Sequence, residues 1–581
     1  MLKRLFRRLA RLAAFAVGAF LVLAIARFFA HRYRPGSVIV LQLDGPLVER
    51  DSFSFLGLPQ LHETALNVVR RTLKGAENDP RITGLAVKVI DPEMGLAQAQ
   101  ELSNLITEFS QHGKWTMAYL ETAGESGYGN LPYLVASAAK EVSMMPQGEM
   151  NLLGVSIRQL FARGLLDWMK IKPELYAIGK YKDAGNLFTH KDYTAPQYEQ
   201  DSALADAMFG QIVDETAQHR HLSPDAIRAV IDRAPISASE ALRARLLDRL
   251  EYEDQFNDRV KNYRGEHHDL IDYDSYSPPN RSWFASHPRI AIVYGVGAIE
   301  RGESGYDPIL SPGSTSMGSD DMAEAFKKAT DDSSIRAVIF RINSPGGSVI
   351  ASELIRREVE LCASKKPLVI SMSEYAASGG YWIAIPAAQI FADPGTITGS
   401  IGVFGGKFDF SGAAETIGVN SGAVFRGKNA AMFDPFGAFT PQQSDLFQQQ
   451  ILGDTYQYFL KLIAERRHLT VTQVNDIAQG RVWIGAQALQ NKLVDGLGGF
   501  DAALEQTKAL ARISPQEPVQ LVELPSRPGF LSRLLTRRSY GEAKLSPELR
   551  LALEPLVWLA RAAISRHQIT GEAYCPLVPI L

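Results

Sequence analysis

Cysteine is almost missing from this 581-residue chain, which contains only Cys362 and Cys575. Two thiols without paired spacing exclude a disulfide framework and a cysteine-based zinc site, and they leave thiol catalysis unsupported. Such scarcity suits the cytosol and the periplasm equally well. Clustered positive charge is missing from the body of the chain. Of 61 Lys and Arg, eight (Lys3, Arg4, Arg7, Arg8, Arg11, Arg27, Arg32 and Arg34) fall in the first 34 residues, where no acid occurs; the rest carries 61 − 8 = 53 basic against 64 acidic residues, or −11. Nucleic-acid phosphates demand a clustered basic face, so no nucleic-acid partner is expected. The eleven histidines are scattered, and none lies in the motifs described below. Core material is ample: 46% of residues are hydrophobic and 22% charged, the balance of an ordinary globular enzyme. At this length two or three domains of roughly 150 to 250 residues are expected.

One long apolar run stands out. Leu12 to Ala26 (LAAFAVGAFLVLAIA) is uninterrupted, and Phe28, Phe29 and Ala30 extend it past Arg27. About 20 residues cross a bilayer, and Arg11 and Arg27 can snorkel from the two ends. The five basic residues before the run should stay cytoplasmic. Residues 1–36 are therefore expected to be a cytoplasmic tip and single transmembrane anchor, with the body outside the cytoplasmic membrane, in the periplasm of a bacterial source. A cleaved signal peptide is the competing reading.

The body reads as a diverged duplication. Val38 to Arg50 (VIVLQLDGPLVER) and Ile290 to Arg301 (IAIVYGVGAIER) are both β-branched runs that break at glycine and end in Glu-Arg. Leu85 to Pro92 (LAVKVIDP) answers Ala337 to Pro345 (AVIFRINSP), and each precedes a helical stretch. Tyr133 to Val155 aligns without a gap on Tyr381 to Val403, matching Pro146 with Pro394 and Gly154 with Gly402. The match continues through Ser239 to Leu250 against Ala486 to Leu497. A repeat this long predicts two copies of one α/β domain, residues 37–280 and 288–512, each a parallel sheet of βαβ units. The extension 513–581 contains an amphipathic stretch, Pro547 to Ile564, expected to pack as a helix on the body or a sister subunit, or else on a membrane surface.

The copies differ where chemistry would sit. Arg341 to Ser348 (RINSPGGS) puts Gly346 and Gly347 straight after a buried strand, where backbone N–H groups can approach a ligand. The first copy has Asp91-Pro92-Glu93-Met94 there. Ala376 to Tyr381 (AASGGY) places Ser378 among small residues ahead of an apolar helix, so its hydroxyl is unshielded near helix N–H groups. Asn130 stands opposite it by offset. The plainer role for Ser378 is an N-cap before a tight glycine turn.

A serine needs a base, and lysine is the alternative to histidine. Lys182, in Gly179 to Phe188 (GKYKDAGNLF), follows an apolar strand and could lose its charge if buried. Most lysines are simply solvated. Ala430 lies opposite Lys182, so each copy has what the other lacks, which suggests one composite site where the copies face each other.

At these residues the chain resembles the long, two-repeat form of signal peptide peptidase (protease IV), a Ser-Lys protease family with a crotonase-like (Clp protease-like) fold. The likeness takes in the anchor, the duplication, Gly-Lys-Tyr-Lys, Asn-Ser-Pro-Gly-Gly, Ala-Ala-Ser-Gly-Gly-Tyr-Trp, and Thr-Gly-Ser-Ile-Gly-Val-Phe-Gly from Thr398 to Gly405. The resemblance implies that Ser378 is the nucleophile and Lys182 the general base, that Ser400 holds the lysine amine, and that the oxyanion hole uses the amide of Gly379 with that of Gly347 or Gly346. Lys180 lies two residues from Lys182 and would face the same way in an extended strand; Lys428, opposite Lys180, reads as a surface lysine. Implied partners are released signal peptides and other hydrophobic peptides, with assembly as a homo-oligomer, a tetramer in the long form. No cofactor and no metal are expected.

Two other classes fit parts of the pattern. A crotonase-type acyl-CoA enzyme would share the fold and oxyanion logic but needs neither an anchor nor Ser378. An inactive peptide-binding membrane scaffold would not need Ser378, Lys182 and Ser400 together.

Overall fold

The computed structural model describes residues 33–51, 63–125, 127–278, 287–305, 316–525 and 579–580. Two mixed α/β units dominate it. In the first, seven strands form a parallel sheet ordered Arg249–Leu250, Glu141–Met144, Trp115–Leu120, Ile82–Glu93, Ser37–Val48 and Leu270–Asp272, with Thr64–Ala65 also on Ser37–Val48. The second sheet repeats that path as Gly496–Leu497, Gln389–Ala392, Leu368–Ala377, Ile335–Ser344, Arg289–Val296 and Gln520–Leu524. It adds Ile397–Gly399 on Leu368–Ala377 and, antiparallel to that, Val482–Ile484. Strands such as Arg289–Val296 (RIAIVYGV) are buried at nearly every position, because helices cover a parallel sheet on both faces. The closing strand Gln520–Leu524 pairs with Arg289–Val296, so the second unit runs past residue 512, where the repeat pattern of the sequence fades.

The expected anchor (Leu12 to Ala26) and the amphipathic stretch Pro547 to Ile564 lie outside the described residues. Among the described residues no helix is long and apolar enough to cross a membrane.

Two features lock the units together. Strand Lys172–Ile178 of the first half pairs antiparallel with Val403–Asp409 of the second, Ile178 opposite Val403. Behind this ribbon Arg341, 1% exposed, reaches from the second sheet to two first-half carboxylates, Nε to Glu49 at 2.7 Å and Nη2 to Glu101 at 2.5 Å. Burial alone would raise the Glu49 carboxyl, but Arg341 and the hydroxyl of Ser373 bring it below the usual carboxylate range.

Candidate active site

Strand Leu368–Ala377 ends at Ser378, and a short helix, Gly379–Ala384, begins directly after it. Ser378 turns this corner at φ 54°, ψ −115°, a conformation that costs a residue with a Cβ about 1–3 kcal/mol. The surroundings impose it: the Ser378 N–H donates to the Gly399 carbonyl at 2.9 Å, and the Ser378 carbonyl accepts from Trp382 N–H at 2.9 Å. Ser378 occupies the N-cap position, yet its side chain makes no capping bond. Its Oγ faces Lys182 instead.

Lys182 arrives from the other half of the chain. After Ile178 the backbone turns at Gly179 (φ +108°), and Lys182 N–H donates to Gly179 O at 3.1 Å. Residues 179–182 thus form a turn, so Lys180 and Lys182 do not point the same way as they would in an extended strand. Lys180 is exposed and lies over the Tyr181 ring, while Lys182 is 8% exposed. The turn packs onto Gly480, where a Cβ would come within 2.5 Å of the Lys182 Cβ. Lys182 Nζ lies 3.0 Å from Ser378 Oγ, 2.9 Å from Ser400 Oγ and 3.0 Å from the Ser400 carbonyl. A neutral amine has two N–H groups and one lone pair. Two donations to Ser400 leave the lone pair for the Ser378 hydroxyl. Ser400 itself sits at φ 49°, its N–H bonded to Arg481 O at 2.8 Å. Lys428 is on the exposed surface.

The glycine loop lies against Ser378, where a Cβ on Gly346 would come within 2.9 Å of the Ser378 Cβ. Gly346 N–H donates to Ser344 Oγ at 3.2 Å, and its carbonyl accepts from Ile299 N–H at 2.8 Å. Among the described residues the amides of Gly347 and Gly379 have no acceptor, and the direction of a Cβ on Gly379 leads to Gly347 N at 3.2 Å. Gly347 adopts φ +151°, and a Cβ there would sit 2.3 Å from the Ile299 carbonyl, so no other residue fits. Of the two loop glycines, Gly346 has its amide bonded to Ser344, whereas that of Gly347, like that of Gly379, has no acceptor among the described residues.

In the first half the corresponding helix, Asn130–Ser137, has Gly129 at its N-cap, and Gly129 N–H bonds Asn151 O at 2.8 Å as Ser378 bonds Gly399. Counting back from the paired Tyr133 and Tyr381, Asn130 stands opposite Ser378, while the helix N-cap in the first half falls one residue earlier, at Gly129. Asn130 donates its amide to Gly154 O at 2.6 Å. Neither residue brings a hydroxyl.

The residues beside Lys182 carry polar groups that motif reading did not single out. Burial pushes the Asp183 carboxyl up to about 6, and burial together with Asp183 pushes Asp201 up to about 7. Gln200 donates to Asp183 Oδ2 at 3.0 Å. Gln197, Gln200 and Asp201 are all buried on helix Ala195–Arg220. Their i, i+3, i+4 spacing was visible in the sequence as a polar stripe, the pattern of a solvated face, and nothing local says that it points inward.

Residues 108–265 and 360–514 match the model of peptidase family S49. The chain is 31% identical over 512 residues to "Serine protease SPPA, chloroplastic" of Arabidopsis thaliana, covering 86% of this chain and 72% of that protein. It is 32% identical to "Protease 4" of Haemophilus influenzae, over 77% of this chain and 73% of the relative, and 32% identical to "Protease 4" of Salmonella typhi, over 78% and 73%.

Proposed function

The chain belongs to peptidase family S49 and is a serine protease, and from that premise we propose that it is an endopeptidase working through a Ser378–Lys182 dyad. The observation that carries this reading is the 3.0 Å separation between Lys182 Nζ and Ser378 Oγ, bridging the two halves of one chain. In the proposed mechanism Lys182 acts as a neutral amine, a form that burial of its side chain, 8% exposed, favours over the ammonium. It takes the hydroxyl proton as Ser378 Oγ attacks the peptide carbonyl. The resulting oxyanion is met by the amides of Gly379 and Gly347. The protonated amine then gives its proton to the departing nitrogen, the C–N bond breaks, and an acyl-enzyme remains; water, deprotonated by the same amine, releases it. Ser400 aims the amine.

Hydrophobic peptides, released signal peptides among them, are the proposed substrates. Val349, Ile350 and Leu354, following the glycine loop, and Phe404, four residues past Ser400, are exposed apolar side chains that support this class. The proposed setting is the periplasmic face of the bacterial inner membrane, with residues 1–36 as anchor. A homo-oligomer, proposed as a tetramer, is supported by a pseudo-symmetry argument. Residues 420–426 correspond by offset to the ribbon strand Lys172–Ile178, and they are exposed in a segment that also presents Ile417, Val424 and Phe433. A neighbouring copy could supply the equivalent ribbon.

The test is cleavage of a fluorogenic hydrophobic peptide by the purified chain. Ser378→Ala and Lys182→Ala should each lower kcat by at least about 1,000-fold while leaving the circular dichroism spectrum unchanged. Wild-type turnover should fall as the pH is lowered and the amine becomes charged. Turnover retained by either variant would remove the dyad from the mechanism.

A further inference from the structure

We infer that Gln200 is a positioning residue of the dyad, tying the turn that carries Lys182 to the strand that holds Ser378 and Ser400 in place. The inference rests on the Ser–Lys reading above. Gln200 is 1% exposed and uses both ends of its amide. Nε2 donates to Oδ2 of Asp183, the residue after Lys182, at 3.0 Å, and Oε1 accepts from Val482 N–H of the second half at 2.8 Å. Val482 is the register partner of Gly399, whose carbonyl takes the Ser378 N–H at 2.9 Å. One residue earlier, the Arg481 carbonyl takes the Ser400 N–H at 2.8 Å. A single planar side chain thus joins the base's neighbour to the strand that fixes the nucleophile.

The adjacent residue repeats the connection on the outside. Glu199 Oε1 accepts from Tyr181 OH at 2.8 Å and from Arg481 Nη1 at 2.9 Å. Residues 181 and 183, on either side of Lys182, are therefore tied to 481 and 482 through 199 and 200 of one helix. That helix is well placed to be rigid: it runs from Ala195 to Arg220, is capped by Thr194 and has its proline in the first turn. Glutamine suits the inner position because it alone among uncharged side chains of this length has one donor and one acceptor at a fixed separation. Ile178 and Val403 register one end of the ribbon, and Lys182 and Ser400 lie beyond that end on its two strands, in the turn 179–182 and the corner at Ser400. There the backbone gives the turn one bond to the 479–482 segment, Tyr181 N–H to Gln479 O at 2.8 Å, and Gln200 adds a second tie on the far side of Lys182.

The experiment compares Gln200→Ala and Gln200→Glu with wild type in the full chain, measuring kcat and KM on the fluorogenic peptide across pH, with thermal midpoint and circular dichroism alongside. For Gln200→Ala, kcat should fall about 10- to 100-fold with KM within about twofold, since a displacement near 1 Å at the dyad is felt on this scale. Its acid limb should move to higher pH, because a loosened turn lets water reach the amine and favours the ammonium. For Gln200→Glu, the ratio to wild type should worsen as pH rises, since the ionised side chain can still accept from Val482 but cannot donate to Asp183. A purely structural glutamine predicts otherwise: kcat per folded molecule and the acid limb would match wild type in both variants, and that result overturns the inference. If Gln200→Ala does not fold, the pH dependence of Gln200→Glu decides alone. Ser378→Ala and Lys182→Ala separate the two readings. Should they keep turnover, the dyad fails whatever Gln200 does; should they abolish it while the Gln200 variants behave as wild type, only the positioning role fails.

Discussion

Tyr133 OH donates to the Leu246 carbonyl at 2.6 Å, and in the second half Tyr381 OH donates to Leu493 O at 2.7 Å. Arg220 binds Asp248, which accepts Val142 N–H, just as Arg467 binds Asp495, which accepts Ile390 N–H. His221 and His468 end matching helices in the left-handed conformation. Away from the surface where the halves meet, the copies have kept the same polar staples. At that surface they have diverged: Ser378 against Asn130, Gly346-Gly347 against Glu93-Met94, and Arg341 against Lys88, which holds the same register position on the first sheet. The repeated staples hold each unit together and serve equally in both. The proposed dyad accounts for the asymmetry of the meeting surface: one hydroxyl and one amine would make one site, and a second copy of either would lack its partner.

The largest expected contrast is at the paired sheet positions. Arg341→Met should destabilise the protein by about 3–5 kcal/mol in denaturant unfolding, because Glu49 is left buried without its cation and Glu101 keeps only Arg70. Lys88→Met should cost no more than about 1 kcal/mol, since Lys88 pairs with a half-exposed Glu253. Equal losses would break the asymmetry argued above.

Next comes the glycine loop. Gly347→Ala should lower kcat about 100- to 1,000-fold by displacing the proposed oxyanion donor, while Met94→Ala in the first half should leave kcat within about twofold. A similar effect from both would mean that the loop acts through stability alone.

A smaller effect concerns Asp393, which stands where the first half has Met145 and is fully buried. Burial pushes its carboxyl up to about 7, with Arg341 and Arg70 opposing. The folded state therefore holds this proton more tightly than the unfolded chain, whose carboxyl titrates near 4. The stability from Asp393 is fully present below about pH 4 and is lost as pH rises through about 7. Asp393→Asn should thus gain relative stability on going from pH 5 to pH 8, on the order of 2 kcal/mol in urea unfolding. A pH-independent difference would count against a buried neutral acid here.

The smallest effect sharpens the comparison from the other side. Tyr133→Phe and Tyr381→Phe each remove one buried hydrogen bond to a backbone carbonyl and should cost about 1 kcal/mol apiece. Values differing by more than about 1 kcal/mol would show that the staples are not equivalent.

Much of this was legible before any coordinates. Continuous β-branched runs such as Ile290 to Val296 read as buried parallel strands, and the repeat of about 248 residues carried the architecture from one half to the other. Glycine pairs and a serine among small residues marked the corner at Ser378, because few other residues tolerate so close a backbone approach. Gln200 and Asp183 were not legible: a buried polar side chain on a helix has the same local pattern as a solvated one, and only its partners tell them apart. Lys180 and Lys182 were separated by the turn at Gly179, which no periodicity describes.

By itself, then, the sequence determined the two units, their parallel βαβ make-up and the residues in which they differ, since these follow from local pattern and repetition. The tertiary structure alone decided which lysine meets the serine, which glycine amide is left free to donate, and that one chain suffices to bring the two groups together. Those outcomes depend on the antiparallel register of Lys172–Ile178 with Val403–Asp409 and on the burial that follows from it. Long-range pairing of that kind leaves no periodic trace in either strand.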